Sequence, residues 1–330
     1  MIITKPDYFD SFRCLAGACP DSCCRYWQVQ VDQTSADRYR ALPGALGADL
    51  RKVLRQEDGE IYMTITQERC PMWRTDGLCR IQAELGEGGL CETCRDFPRL
   101  THDYGDFREL GLELSCPEAA RQILNNDSGY VTREAPGGSE PEYDGQAMTV
   151  LKRTREQALA LVKGKDTPGK TLALLLLYGC QAQGELDGEE RGSFDPEAAW
   201  QTAQEIAQPG DPAQMLAFFT ELEILTRDWR QRLQTPASGD WDDRTARLLE
   251  YFVNRYWLQA VSDYDLYGRV KFMVISCLLL KQLGGDFLET AQLYSKEIEN
   301  DGENMDALLD GAYDCPAFTD ARLLGMLLEK

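Results

Sequence analysis

Four cysteines fall within eleven residues near the start of the chain, Cys14, Cys19, Cys23 and Cys24, and five more follow before residue 120: Cys70, Cys79, Cys91, Cys94 and Cys116. Of the twelve cysteines, only Cys180, Cys277 and Cys315 lie in the remaining 214 residues. Thiols grouped in this way pair as disulfides in an oxidising compartment, or hold a metal or iron–sulfur cluster in a reducing one. The first residues, Met1-Ile-Ile-Thr-Lys-Pro-Asp7, show no basic leader followed by an apolar run. No secretory signal is read there, and a cytoplasmic location is expected. A chain of 330 residues has room for a large core and needs no disulfide staples. Metal binding is therefore the expectation for the nine.

The individual spacings say how such a site is built. Cys91-Glu-Thr-Cys94 puts a single turn of backbone between two thiolates, so both can face one ion. Cys70-Pro-Met-Trp73 and Asp76-Gly-Leu-Cys79 read as two arms of a tight turn, with Asp-Gly as the hairpin signal. Pro117 follows Cys116 directly, which places that thiol at a helix N-terminus where the helix dipole favours a thiolate. Cys23 and Cys24 are adjacent, and successive side chains diverge in most backbone conformations, so the two are not expected on one iron. His102, the sole histidine, reads as a surface or capping group, because nine thiols leave no shortage of ligands. Cys180, Cys277 and Cys315 sit in or beside apolar helical stretches and read as small core hydrophobes.

The elements that position these residues change character along the chain. Tyr26–Asp32 alternates apolar and polar residues, and Gly59–Thr66 is rich in β-branched and aromatic ones, so both read as short strands. Thr34-Ser-Ala-Asp37 has the form of a helix start, and Ile81–Leu85 reads as a short helix. Residues 126–145 are polar and rich in Gly and Pro, and read as a linker. Beyond it, helical periods recur at 146–163, 169–181, 195–207, 211–234, 243–262, 268–283, 286–300 and 317–328, with no fixed repeat. The expected fold is mainly α: a small α+β cysteine-rich metal-binding domain at 1–125, then an irregular helical domain at 146–330.

Charge narrows the partners. The net charge is −20, and residues 1–126 hold 15 Lys/Arg against 20 Asp/Glu, so most of the excess lies in the helical part. Such a surface repels phosphate backbones, which argues against nucleic acid, and suits a lysine-bearing protein partner. The two most apolar runs, Leu172–Tyr178 and Phe272–Leu280, are too short to cross a membrane and read as buried helices.

The joint pattern resembles a known family. It comprises Phe12-x-Cys14-x4-Cys19-x3-Cys23-Cys24-x2-Trp27, then Cys70-Pro-x7-Cys79-x-Ile81, then Leu85-Gly86-x2-Gly89-x-Cys91-x2-Cys94-Arg95-x2-Pro98-Arg99, then Leu112-x-Leu114-Ser115-Cys116-Pro117-Glu118-Ala119-Ala120-Arg121. These blocks resemble the flagellin lysine-N-methylase family, and the first three also resemble small zinc- or iron-chelating cysteine-cluster proteins. The resemblance covers residues 1–125 densely. It implies transfer of methyl groups from S-adenosylmethionine to lysines of flagellin, with an iron–sulfur cluster (4Fe-4S, or zinc as the alternative) on the cysteines.

That chemistry makes demands of its own. Methylating a lysine needs the neutral amine, whose ordinary pKa is about 10.4, so an enzyme must desolvate the ammonium or supply a base. Tyr104 and Glu118 are the residues assigned to this role, with Asp103, Asp106 and Glu113 as further candidates; solvated surface or helix capping is the plainer use for each. Trp27, Trp73 and Tyr104 are the aromatic residues expected to wall a lysine stem, in a cleft between the two domains. No glycine-rich turn after a strand marks the place of S-adenosylmethionine. The alternative is a zinc or iron–sulfur module without catalysis, coupled to a helical interaction domain.

Overall fold

The computed structural model describes residues 1–57, 59–127 and 129–328; Asp58, Ser128, Glu329 and Lys330 lie outside the described residues. Strand β1 (Ile2–Pro6) opens the chain and finds its partners only after the cysteine-rich stretch has passed. That stretch runs through β2 (Val29–Gln30), α1 (Gln33–Ala41), α2 (Gly44–Val53), β3 (Leu54–Glu57), β4 (Glu60–Met63), α3 (Arg80–Leu85) and α4 (Glu92–Asp96). Its three strands form an antiparallel sheet in the order β2-β4-β3. Asp32 starts α1 by accepting from the Ser35 amide at 2.8 Å, as an N-cap should. Val29, Tyr39, Leu50, Met63, Met72 and Ile81 form a small core that also takes in Cys70 and Cys91.

A second sheet follows, and the sequence periodicity had not announced it. β5 (Arg99–Asp103), β6 (Phe107–Leu112) and β7 (Tyr130–Glu134) join β1 in the order β5-β6-β1-β7, with β1 parallel to β6 and the other pairs antiparallel. β7 lies inside the stretch read as a linker. Its five residues are all exposed, so it is an edge strand held by main-chain pairing to β1, with no apolar pattern to betray it. α5 (Pro117–Asn125) precedes β7, and Cys116 is its N-cap, as expected from Pro117.

The rest is helical among the described residues: α6 (Gly145–Val162), α7 (Pro168–Leu186), α8 (Pro196–Ile206), α9 (Pro212–Thr220), α10 (Arg227–Gln234), α11 (Thr245–Tyr256), α12 (Leu266–Leu283), α13 (Phe287–Tyr294), α14 (Gly302–Asp314) and α15 (Asp320–Leu328). α12 is buried nearly all round and is the axis of this body. The mainly α expectation holds. The long helix expected over 211–234 is two helices, because Glu297 takes the Leu225 and Thr226 amides (both 2.8 Å) and Asn304 takes that of Glu223 (3.0 Å). The packing also divides the chain differently from a boundary near 125. Phe12, Phe107, Leu112, Leu114 and α5 residues Ala119, Ala120, Ile123 and Leu124 belong to the large helical core. The four-stranded sheet is thus part of the helical body, and the cysteine unit is inserted between β1 and β5.

Candidate functional site

The structure brings the nine cysteines into two groups, all with free thiols. Five belong to or pack against the small core, Cys24, Cys70, Cys79, Cys91 and Cys94, and the exposed Cys23 joins them through Cys24. Main-chain bonds draw their segments together, Cys70 N to Cys24 O at 2.7 Å and Arg80 N to Met72 O at 2.7 Å. Cys24 hydrogen-bonds with both Cys23 and Cys70. The first contact lowers its pKa, but the second, with burial, outweighs it and lifts the thiol to about 12. Cys91 is lowered to about 7 by the hydrogen bond from Cys94, which is itself pushed far up by the same contact, so this pair shares one proton. Cys94 also feels the charge of Cys24 and Cys23, and Cys70 that of Cys79 and Cys91.

The remaining three, Cys14, Cys19 and Cys116, meet where the cysteine unit touches the helical body. Burial raises Cys116 to about 12, and the nearness of Cys19 and Cys14 adds to it. Burial also raises Cys19, which feels Cys14 and Cys23. Among the described residues, no group of three or more His, Cys, Asp or Glu is disposed to hold a metal ion; the thiols face one another in pairs. Of the cysteines read as core residues, Cys277 is buried, Cys315 half-buried and Cys180 exposed, so the reading fails for Cys180.

A π-helical turn, Ser295–Glu299, directly after α13, fastens the two parts. Its Lys296, 1% exposed, donates to Asp21 Oδ2 at 2.7 Å and lies 5.1 and 4.8 Å from the ring centres of Tyr26 and Trp27. Tyr26 is held at φ +81°, a left-handed conformation that bulky residues rarely adopt, with its amide on Glu68 O at 3.0 Å. Gln292 reaches Asp21 Oδ2 (3.2 Å) and Ser115 O (2.6 Å), and Asn300 reaches Ser115 Oγ (2.9 Å). Trp27 thus walls a lysine, but it is the chain's own. Trp73 is instead covered by Arg69, 4.3 Å from its ring centre.

Tyr104 and Glu118 occupy different places. Glu118, on α5, accepts from Arg121 at 2.8 and 2.7 Å and from Gln122 at 2.8 Å, which holds its carboxyl below the ordinary range. Both oxygens are engaged within its own helix. Tyr104 stacks on Phe107, ring centres 4.6 Å apart, in the β5–β6 turn. Burial pushes its phenol well up, so it stays protonated at neutral pH. Asp103 accepts from Arg108 (2.7 Å), Asp106 from Tyr143 (2.8 Å), and Glu113 is raised by burial beside Arg255 and Glu299.

Tyr104 does line an open cleft of about 920 Å³ between the β5–β6 turn, the segment before α6 and the segment that joins α11 to α12. Asp103, Glu140, Glu142 and Asp144 supply four carboxylates, Tyr143 and Tyr264 two more rings, and the lining has no Lys or Arg. Glu140 and Glu142 are missed by the motif reading, since they stand in the stretch taken as a linker. Such walls suit a cationic side chain.

The flagellar biosynthetic protein FliU of Salmonella muenchen is 34% identical over 139 residues, 40% of this chain and 82% of FliU. Lysine-N-methylases of Salmonella typhimurium and Salmonella choleraesuis are each 32% identical over 139 residues, again 40% of this chain. The match spans 35% of the length of each of those two methylases. No protein-family model matches the chain, and no solved structure matches it. On its likeness to FliU and these enzymes, the chain belongs to the lysine-N-methylase family.

Proposed function

We propose that the protein transfers methyl groups from S-adenosylmethionine to lysine side chains of flagellin, and that an iron–sulfur cluster held by its cysteines accompanies this activity. The observation that carries the reading is the likeness to the two lysine-N-methylases. The structure supports it with the carboxylate- and tyrosine-lined cleft, whose charge fits a lysine-bearing surface.

The thiols suit a cluster in chemical kind, being free of disulfides and carried on short segments tied by main-chain bonds, while among the described residues no three of them are disposed around one ion. Four from among Cys23, Cys24, Cys70, Cys79, Cys91 and Cys94 would hold it. When bound, such a group ties the segments of the small core together and provides a redox-active centre. Cys14, Cys19 and Cys116 are then left for the contact with the helical body.

In the transfer, the neutral Nζ forms a bond to the methyl carbon as the carbon–sulfur bond breaks, its electron pair passing to sulfur and one proton leaving the amine. The residues of this chain act around that step. Asp103, Glu140, Glu142 and Asp144 draw in the ammonium, and the protonated phenols of Tyr104 and Tyr143 orient the stem. The carboxylates favour the charged ammonium, so the proton that it sheds passes to one of them, Glu140 or Glu142, and from there to water. The test is methyl incorporation into flagellin by anaerobically purified protein, with metal analysis of the same sample. Absence of incorporation overturns the methylase reading, and zinc alone at stoichiometric level overturns the cluster.

A further inference from the structure

One wall of the acidic cleft is main chain. β5 is an outer strand of the four-stranded sheet and pairs with β6 alone. Antiparallel neighbours alternate between residue pairs that exchange both main-chain bonds and pairs that exchange none. At one end of this ladder Glu113 N donates to Pro98 O at 2.7 Å, and at the other Tyr104 N donates to Phe107 O at 3.0 Å. The register between them is unbroken: Leu100 lies opposite Gly111, Thr101 opposite Leu110, His102 opposite Glu109 and Asp103 opposite Arg108. Counted from either end, Leu100 and His102 spend their amides and carbonyls on β6. Those of Thr101 and Asp103 point away from the sheet, and both residues are exposed and line the cleft. Among the described residues, no main-chain group outside the ladder reaches the Thr101 amide or carbonyl.

An outer strand in this state is a template for a further one. Proteins blunt such edges with a proline, a lysine or a bulge, and Leu100-Thr101-His102 carries none of these. Behind the strand there is no comparable opening. Leu100 and His102 border an enclosed cavity of about 330 Å³ against α6 and α11, and its three cations are already matched. Arg155 pairs with Glu109 (2.7 and 2.6 Å), Lys163 with Glu250 (2.9 Å) and Arg255 with Glu299 (3.3 Å). In the cleft the charge is not matched. Asp103 accepts from Arg108 and Asp144 caps α6, but Glu140 and Glu142 have no ion-pair partner among the described residues, and no Lys or Arg lines the walls.

We infer that the protein takes its substrate by strand addition. An extended, lysine-bearing segment lies along β5, its main chain bonded to Thr101 and Asp103 and its lysine turned toward Glu140 and Glu142. This rests on the methylase reading above and names the class of lysine accepted. A lysine in an open or strand-like segment fits the edge, whereas one inside a stable helix has its neighbouring amides spent within that helix.

The probe is a short unstructured peptide with one central lysine flanked by threonines and valines, its binding to the full chain measured by calorimetry. Methylating its backbone amides one at a time should weaken binding about tenfold at every second residue and leave the residues between unaffected, since only alternate amides face β5. Thr101→Pro removes the outward N–H without costing a ladder bond and should also weaken binding about tenfold. Thr101→Val keeps that N–H and should bind, which separates loss of the donor from loss of the hydroxyl. If Thr101→Pro does not fold, the amide scan on the parent decides. Methyl incorporation into flagellin is read on the same samples. A parent that methylates flagellin but binds no peptide, or binds it without alternation, overturns strand addition and leaves the methylase reading standing, as does full binding by a folded Thr101→Pro. A parent that binds with alternation and incorporates no methyl overturns the methylase reading and leaves the edge as a binding site. A parent that does neither overturns both.

Discussion

Lys296 is a buried cation whose partner, Asp21, is 22% exposed at its side chain. Removing one member of a largely buried pair strands the other, which typically costs about 3 kcal/mol, whereas a surface pair contributes about 1 kcal/mol or less. Lys296→Met keeps the stem between Tyr26 and Trp27 and removes only the charge. Urea unfolding should show a loss near the larger figure; a loss near the smaller one would mean that Asp21 finds water instead. His102 gives a prediction about acid. Burial lowers its pKa below the ordinary value of about 6.5, with Arg255 adding to it. As pH falls through about 6.5 the unfolded chain takes up the proton first, so stability drops from there down to the folded pKa, by at most about 1.4 kcal/mol per pH unit. Because there is one histidine, the His102→Gln variant should lack this component. Between about pH 7 and pH 5 the parent should lose stability relative to it; parallel pH profiles would refute the assignment. The cysteine spacings were legible at this scale, since Cys-x-x-Cys and Cys-Pro act through neighbours in sequence. Glu140, Glu142 and Arg155 were not, because only the tertiary fold brings them to a wall.

The π-helical turn Ser295–Glu299 links three bodies at once. Lys296 reaches the cysteine unit, Glu297 the break between α9 and α10, and Glu299 the buried hydroxyls of Tyr251 (3.1 Å) and Tyr256 (2.5 Å). Glu297→Ala would leave the Leu225 and Thr226 amides without an acceptor, and orphaned buried donors cost about 1–3 kcal/mol. A stability loss of at least about 2 kcal/mol is expected by denaturant unfolding. Hydrogen exchange should speed up first at residues 223–227; uniform exchange along the chain would show that the break does not depend on this carboxylate. This element also explains a misreading. Met215, Phe218, Phe219, Leu222, Leu225, Trp229 and Leu233 keep a helical period across 211–234, but the amides that end the run are taken by a side chain some seventy residues on in sequence. Periodicity reports which face is apolar and says nothing of such a competitor. The four-stranded sheet was hidden for a related reason: β1 is short, β7 is exposed, and β6 carries Glu109 and Gly111 where an alternating strand would be apolar.

At the scale of the whole molecule, two cores of very different size stand side by side. The small one has few large buried side chains besides Tyr39, Leu50 and Met63, and its thiols are part of it. Structural metal binding contributes on the order of 10 kcal/mol, comparable with a whole domain's stability. With the proposed cluster bound, chelation and reduction should melt residues 14–94 and leave the helical body folded. The near-ultraviolet signals of Trp27 and Trp73 would collapse while those of Trp229 and Trp257, both fully buried in the large core, persist. A single cooperative loss of all four would show that the cores are one unit. The insertion has a further consequence. The Arg99 guanidinium lies 5.3 Å from the centre of the Phe12 ring, so the inserted segment leaves the sheet and returns to it at almost the same point. Neither the enclosed cavity nor the acidic cleft takes any wall from residues 9–99. The segment is a detachable loop in the topological sense, and closing a shorter one in its place is entropically easier. A chain with residues 14–96 excised and bridged by a few glycines and serines should keep its helical circular dichroism. What it loses in methyl incorporation would then measure what the thiols add to the helical body.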